Sequence, residues 1–238
     1  RILCRRLLDE GNSVTAIGRD YSRMDDLEEL GARVYVGNAS DEDFVSEVVS
    51  SFSEVGDGKI DGVAHLVGSL LIRPPHALTS EAFNEVINTN LTSAFVILSK
   101  ACKYMLRNGG GRIVFTSSVA ASVGLVNHEA VSAAKGGIES MARSAAATYS
   151  KRGIRVNVVA PGLTDTRMAL PITKSRKIQK GVNCLLYFRQ LVALVCQTND
   201  ELCIRLSSLP LHSGMPSKRT VCRGSIRDLF PSLHASMQ

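Results

Sequence analysis

"SAAKGGIESMARSAAATYSKRGIRVNVVAPG" (132–162) is the stretch that decides the fold, because it joins a predicted helix to a predicted strand. The pattern predicts a helix from about 129 to 151 and a strand over 154–162. Two earlier segments, "DGVAHLVG" (61–68) and "GRIVFTSS" (111–118), predict strands of the same kind. The region between them, about 80–107, predicts a long helix. Helices therefore alternate with strands through the middle of the chain.

The same alternation extends back to the first residues. "RILCRRLLDEG" (1–11) carries apolar residues at helical spacing and ends at Gly11, which is typical of a helix terminus. Further strands are predicted over 13–18 and 33–37, and further helices over 22–30 and 41–53. Strands joined by crossover helices form a parallel sheet that is covered on both faces. We therefore expect an α/β protein with a doubly wound parallel sheet, a Rossmann-like three-layer αβα fold.

The charge is distributed unevenly between the two parts of the chain. The net charge of the 238 residues is +6, but residues 1–170 are close to neutral, and residues 171–238 hold 10 basic against 3 acidic residues. Only three aromatic residues, Tyr187, Phe188 and Phe230, stand among these basic residues for base stacking. The basic excess is typical of a solvated surface, so we expect no nucleic-acid partner.

The cysteines and apolar runs exclude two further classes. No pair of cysteines has CxxC spacing, so we expect no metal site and interpret the cysteines as free thiols. The longest apolar run near the end, "CLLYFRQLVALVC" (184–196), is too short to span a bilayer, which needs roughly 18 apolar residues. We expect no membrane association.

The alternation loses its clarity after Arg167, so we divide the chain into a domain over 1–170 and a basic, Cys-rich tail over 171–238. One amphipathic helix near 184–206 is predicted in the tail. Prolines and serines predict an irregular structure for the last thirty residues. The tail is thus expected to be irregular or partly helical.

Several motifs in one order resemble the short-chain dehydrogenase/reductase family, whose members move a hydride between NAD(P) and a carbonyl or alcohol. The motifs are "NTNLTSAF" (88–95), "GRIVFTSS" (111–118), the stretch 132–162, and Thr166 five residues after Pro161. The resemblance covers about two thirds of the chain. Each motif alone is weak evidence for the family. The resemblance depends on all of them occurring in the family's order and spacing.

The resemblance implies three catalytic positions. Asn90 matches the asparagine that kinks a helix and whose carbonyl holds a water. Ser118 matches the serine that binds the substrate oxygen, and Lys135 matches the lysine that binds the nicotinamide ribose. Val131 stands where the family has its catalytic tyrosine. Outside this register, such a serine is usually a turn or cap residue and such a lysine is usually solvated.

A histidine is the candidate replacement for the missing phenol. On a helix over 129–151, positions 128, 131 and 135 share one face. His128 can give and take a proton near neutral pH, with Glu129 as its orienter. The competing interpretation is that His128 is a loop residue at the start of the helix.

The resemblance also implies the cofactor contacts. Arg19 follows the strand that reaches the adenosine ribose, where a guanidinium can bind a 2′-phosphate, so NADP is favoured over NAD. The other expected contacts are Asn38 near the adenine, Gly68 where the backbone passes close to a ligand, Lys135, Pro161, Gly162, and Thr166 at the carboxamide. His65 replaces an asparagine of the family pattern, and a histidine there is more often structural than catalytic.

The family's Gly-rich turn and first strand do not precede Arg1 in this sequence. That first strand is central in the family's sheet, so we expect two half-sheets with unpaired facing edges. We also expect the sequence to be a fragment of a longer chain or an incomplete gene product. The family's final pattern of a helix and a strand is likewise not recognisable after about Ser175.

We therefore predict an NADP-dependent oxidoreductase for a small carbonyl or alcohol substrate. The apolar segment 69–83 suits an uncharged or acyl-like ligand. Two alternatives remain open: a catalytically inactive dinucleotide-binding protein, and a truncated partner of intact paralogues. A homo-oligomer is expected for a complete chain. The default compartment is the cytoplasm, with organellar targeting left open.

Overall fold

Strands and helices alternate along the chain as the sequence predicts. The computed structural model describes residues 1–52, 58–164 and 166–170, and two strands at 192–198 and 201–207. The helices are α1 Ile2–Asp9, α2 Asp25–Glu29, α3 Glu42–Ser51, α4 Ser80–Ile87, α5 Ser93–Met105 and α6 Glu129–Tyr149. The strands are β1 Thr15–Gly18, β2 Arg33–Val36, β3 Gly62–His65, β4 Gly111–Thr116, β5 Ile154–Pro161, β6 Val192–Thr198 and β7 Glu201–Ser207.

The strands form two sheets rather than one. β1 pairs in parallel with β2, and a five-stranded sheet has the order β3-β4-β5-β6-β7. The pairs β3–β4 and β4–β5 are also parallel. Among the described residues, no strand connects β1 to β3, which confirms the prediction of two half-sheets. The fold is a Rossmann-like α/β arrangement.

The prediction of a helix near 184–206 is wrong over its second half. β6 and β7 run antiparallel to their neighbours, with Val158 opposite Val195 and Cys196 opposite Cys203. A short apolar run fits a buried helix and a strand equally well by periodicity alone, which explains the error. Residues 184–191 and the last thirty residues, which were predicted to be irregular, lie outside the described residues.

The main core lies between three helices and one face of the sheet. α3, α5 and α6 pack against alternate residues of β4 and β5, including Phe115 and Ile154, which are fully buried. A separate cluster packs α1 and α2 against β1 around Leu27. None of the described helices is long and apolar enough to cross a membrane.

A π-helical turn over 88–92 joins α4 to α5, in place of one continuous helix. The Ser93 hydroxyl donates to the Thr89 carbonyl at 2.6 Å and lies 2.9 Å from Nε2 of His65. Because the hydroxyl proton is used at Thr89, Nε2 of His65 donates to the serine oxygen. His65 thus ties the end of β3 to the start of α5, as its structural interpretation predicts.

His65 is held neutral by its surroundings. The side chain is 4% exposed, packs 5.8 Å from the Phe115 ring, and has no partner for Nδ1 among the described residues. Burial, followed by the positive charge of Lys135, lowers the pKa of His65 to about 4. The unfolded chain takes up this proton as the pH falls through 6.5, whereas the folded chain resists it until about 4.

His65 should therefore make the fold sensitive to acid between these two pH values. The difference between the two pKa values corresponds to roughly 3 kcal/mol of unfolding free energy, present at neutral pH and lost towards pH 4. His65→Gln, which keeps a donor for Ser93 but does not titrate, should remove this loss. The chain has no tryptophan, so urea unfolding is followed by circular dichroism at several pH values.

The matched control is His76→Gln, which removes an exposed histidine from a short turn over Pro75–Ala77. It should lose stability with acid as the unsubstituted protein does. If His65→Gln and the unsubstituted protein lose equal unfolding free energy between pH 6.5 and about 4, the acid sensitivity does not come from His65.

Candidate active site

A cavity of about 480 Å³ lies beyond the carboxyl ends of β3, β4 and β5. Parallel strands end at one edge of their sheet, so the residues that follow them meet there. Eight of the predicted site residues line this cavity: Gly68, Asn90, Ser118, His128, Lys135, Pro161, Gly162 and Thr166. Val131 lines it as well. Arg19 and Asn38 are not among the lining residues.

Lys135 extends from α6 towards the end of β4. Its side chain is buried at 7% exposure, and Nζ donates to the Thr116 carbonyl oxygen at 2.9 Å. Among the described residues it forms no ion pair, and no described residue of the cavity lining is acidic. Burial lowers the pKa of Lys135 to about 8. The cavity therefore holds an amine that changes its charge close to neutral pH.

Asn90 is fully buried in the π-helical turn and fixes the loop that follows β3. Its Nδ2 donates to the Val86 carbonyl at 2.9 Å and to the Ser69 hydroxyl at 3.0 Å, while Oδ1 accepts from the Ser69 amide at 3.2 Å. A Cβ on Gly68 would lie 2.9 Å from this Oδ1 and 3.2 Å from Nζ of Lys135. The glycine is thus required by side chains of the site itself.

Two serines at the end of β4 have different surroundings. Ser118 caps a short turn over Val119–Ala121, where Oγ accepts from the Ala120 amide at 3.2 Å, so its own proton is available to the cavity. Ser117 is buried and donates to Oε1 of Glu139 at 2.7 Å, which ties β4 to α6. The sequence analysis missed the Ser117–Glu139 hydrogen bond, because no motif distinguishes Ser117 from the motif residue Ser118 beside it.

His128 immediately precedes α6 and lines the cavity. Its Nδ1 donates to the Val126 carbonyl at 2.8 Å, because a carbonyl oxygen can only accept, and this leaves Nε2 as the basic nitrogen of the neutral ring. The prediction that Glu129 orients this ring is wrong, because Glu129 is exposed and the backbone carbonyl does so. The Arg73 amide donates to the Asn127 carbonyl at 2.9 Å and ties this loop to the one after β3.

Val131 occupies the position between His128 and Lys135 on α6. It is 3% exposed, packs with Val86, Ala130 and Ala134 in a small apolar cluster, and is the member of that group of four that lines the cavity. The site therefore has an apolar floor next to the buried amine of Lys135.

Arg19 and Asn38 follow the ends of the paired strands β1 and β2. Both are exposed, and Asn38 is engaged in a local turn, where Oδ1 accepts from the amide of Ser40 at 3.1 Å. Asp20, next to Arg19, caps a turn through Ser22 and pairs with Arg23 at 3.0 Å. In the described part of the chain, Arg19 forms no ion pair. The hydrogen bond from Ser22 lowers the pKa of Asp20, and the charge of Arg23 adds to this effect.

The remaining predicted contacts lie where β5 ends. Pro161 closes that strand, and Thr166 precedes a short turn over Arg167–Ala169 without a side-chain capping bond. Within the described residues no cluster of histidine, cysteine, aspartate or glutamate could hold a metal ion. The described cavity thus presents hydroxyl, amine and imidazole groups.

Comparison with known proteins identifies the same family over most of the chain. The family model described as "Enoyl-(Acyl carrier protein) reductase" matches residues 3–194. The 3-oxoacyl-[acyl-carrier-protein] reductase MabA of Mycobacterium avium is 34% identical over 183 residues, 75% of this chain and 67% of that protein. MabA of Mycobacterium bovis is 43% identical over 104 residues, 44% of this chain. That match spans 41% of the length of the Mycobacterium bovis protein.

Solved structures agree with the sequence comparison. A short-chain type dehydrogenase/reductase from Mycobacterium ulcerans superposes with a TM-score of 0.70 at 27% identity. The superposition covers 76% of this chain and 70% of that one. The match of the family model, the similarity to MabA and the shared fold lead to one conclusion: the chain belongs to the short-chain dehydrogenase/reductase family of oxidoreductases.

Proposed function

We propose that the protein is an NADP-dependent oxidoreductase that transfers a hydride between the nicotinamide and a small carbonyl or alcohol substrate. The observation that carries the proposal is the single cavity shared by Ser118, His128, Lys135 and Thr166. NADPH supplies the hydride when it is bound. The chain's own residues bind and orient the reactants and handle the proton.

The donors in the cavity fit the nicotinamide half of such a cofactor. Lys135 carries donors on Nζ beyond the one used at Thr116, and these suit ribose hydroxyls. The Thr166 hydroxyl has no side-chain capping bond to compete with a carboxamide. The missing Cβ of Gly68 leaves room beside Nζ, where a side chain would collide.

Proton transfer is assigned to Ser118 and His128. The hydroxyl proton of Ser118 is available to a substrate oxygen, since its Oγ only accepts from the Ala120 amide. His128 is held through Nδ1, so Nε2 of the neutral ring takes the proton from an alcohol substrate, and in the direction of reduction the imidazolium gives that Nε2 proton to the developing alkoxide. Val131 offers no group for this step, which makes the imidazole the candidate donor among the described lining residues.

The substrate is proposed to be an uncharged, acyl-like carbonyl compound. The loop after β3 contributes Leu66, Val67 and Leu70 to the cavity wall, and the segment after β5 contributes Leu163 and Met168. These apolar side chains suit an acyl chain and disfavour a charged one. The relative MabA bears the name of a 3-oxoacyl reductase, which supports the same substrate class.

The role of His128 predicts a large loss of turnover in His128→Ala. Oxidation of NADPH with an acetoacetyl thioester is followed by absorbance, and kcat should fall about 10²- to 10⁴-fold. His76→Ala, which removes an exposed histidine outside the cavity lining, should leave kcat unchanged. Adding Val131→Tyr to His128→Ala should restore part of the rate, whereas Val131→Phe, without the hydroxyl, should not.

Three outcomes separate the candidate functions. Turnover that depends on His128 supports the oxidoreductase proposal. Binding of NADPH without any turnover would overturn it and leave the dinucleotide-binding alternative. Folded protein that binds no NADPH would contradict both and favour the third function, a truncated partner of intact paralogues.

Choice of NADP over NAD is assigned to Arg19. Asp20 is occupied by Ser22 and Arg23, so the acidic side chain that would favour a free 2′-hydroxyl is engaged elsewhere, while Arg19 has no ion pair among the described residues. A guanidinium bond to a phosphate contributes about 1.5–3 kcal/mol. Arg19→Gln should therefore weaken NADPH binding about 10- to 100-fold in calorimetric titration and leave NADH binding nearly unchanged.

Arg5→Gln is the matched control, because its side chain is 50% exposed on α1, which packs against β1, and is already paired with Asp26. It should change NADPH affinity far less. Equal losses in both variants would indicate general attraction between opposite charges and contradict a specific role for Arg19.

A further inference from the structure

Lys135 is a buried amine that lacks a counter-charge. Its ammonium has the Thr116 carbonyl as its hydrogen-bond partner among the described residues. Glu139, one helical turn further along α6, is buried but accepts the hydroxyl of Ser117 at 2.7 Å and forms no ion pair with Lys135. A buried charge without an opposite charge is costly, so burial shifts the equilibrium of Lys135 towards the uncharged amine.

Neither of the two histidines near the site supplies Lys135 with a negative charge. From β3, the neutral ring of His65 contributes no negative charge, and its own pKa is lowered partly by the charge of Lys135. His128 lines the cavity at the start of α6 but is bonded to the Val126 carbonyl. With the pKa of Lys135 lowered to about 8 by burial, about a tenth of the molecules carry the neutral amine at pH 7.

The cavity next to this amine has room for an electrophile. It measures about 480 Å³, and Val131, one turn before Lys135, lines it with methyl groups. Leu66, Leu70 and Val119 add further apolar surface. An uncharged organic molecule therefore finds an apolar wall with a single nucleophilic nitrogen beside it.

We propose that Lys135 is a covalent capture site for small uncharged aldehydes, which it binds as imines. The nitrogen lone pair attacks the carbonyl carbon, the C–N bond forms as the C=O π pair moves to oxygen, and a proton passes from nitrogen to oxygen. Loss of that hydroxyl with a further proton as water gives the imine. The sequence consumes one amine and one aldehyde and releases one water, without oxidant or reductant. It goes beyond hydride transfer and needs no nucleotide.

The test traps the imine in the 238-residue chain without nucleotide. The protein is incubated with hexanal and sodium cyanoborohydride between about pH 6 and 10, and each alkylated lysine is quantified by peptide mass spectrometry. Lys103 on α5 is the exposed comparator within the same molecule, and Lys100, which pairs with Glu42 at 2.7 Å, is a second one.

Lys135 should be alkylated at least about tenfold faster than Lys103 at pH 7. The neutral fraction of an amine with a pKa of about 8 is roughly 200-fold larger than that of an ordinary lysine, and restricted access to the cavity reduces the advantage. The rate at Lys135 should level off above about pH 8 to 9. Alkylation of Lys135 no faster than that of Lys103, or a rate that keeps rising to pH 10, would overturn the proposal.

A substitution one helical turn away tests, without removing Lys135, whether the missing counter-charge is the cause of its reactivity. Val131→Glu places a carboxylate four residues before Lys135, where it pairs with the ammonium, so capture should slow and its pH midpoint should rise. Val131→Gln is the uncharged match of similar size and should leave the midpoint in place. Equal pH midpoints in the two variants would contradict the role of the missing counter-charge. If either variant fails to fold, the comparison of Lys135 with Lys103 in the unsubstituted protein decides the proposal.

Discussion

The hydrogen bond from Nζ of Lys135 to the carbonyl oxygen of Thr116 joins α6 to the end of β4, and the chemistry of the site depends on it. A carbonyl oxygen satisfies one of the amine's donors but supplies no full negative charge, so burial still penalises the ammonium. The same positive charge helps to keep His65 neutral. A neutral His65 with its proton on Nε2 can donate to the Ser93 oxygen. The Ser93 hydroxyl in turn donates to the Thr89 carbonyl in the π-helical turn. One buried amine is therefore linked to the geometry of the turn that holds Asn90.

Much of this arrangement follows from the order of elements in the sequence. Alternating helices and strands predict parallel pairing, and parallel pairing brings the residues after β3, β4 and β5 to one edge. That rule alone places Gly68, Ser118 and Pro161 together, and the helical period places Lys135 beside them. The two separate sheets also follow, because among the described residues no strand lies between β1 and β3 to pair with both.

The contacts that could not be predicted depend on how elements sit against one another. His65 meets Ser93 only because β3 packs on α5, and Ser117 meets Glu139 only because β4 packs on α6. His128 takes its orientation from a loop carbonyl, which no side-chain pattern encodes. The pair β6 and β7 illustrates another limit: a run of seven residues is too short for its periodicity to distinguish a strand from a helix.

Val131 places methyl groups, and no hydroxyl, beside the buried amine of Lys135, so this amine faces an apolar wall. An ammonium in an apolar wall attracts oxygen atoms, and ribose hydroxyls or a carbonyl oxygen satisfy it equally well. The same nitrogen without its extra proton has a lone pair, and its target is then the carbonyl carbon instead of the carbonyl oxygen. Since burial brings the pKa of Lys135 to about 8, both forms coexist close to neutral pH. The protonation state of one residue therefore decides whether the cavity holds a carbonyl compound by electrostatics or by a covalent bond.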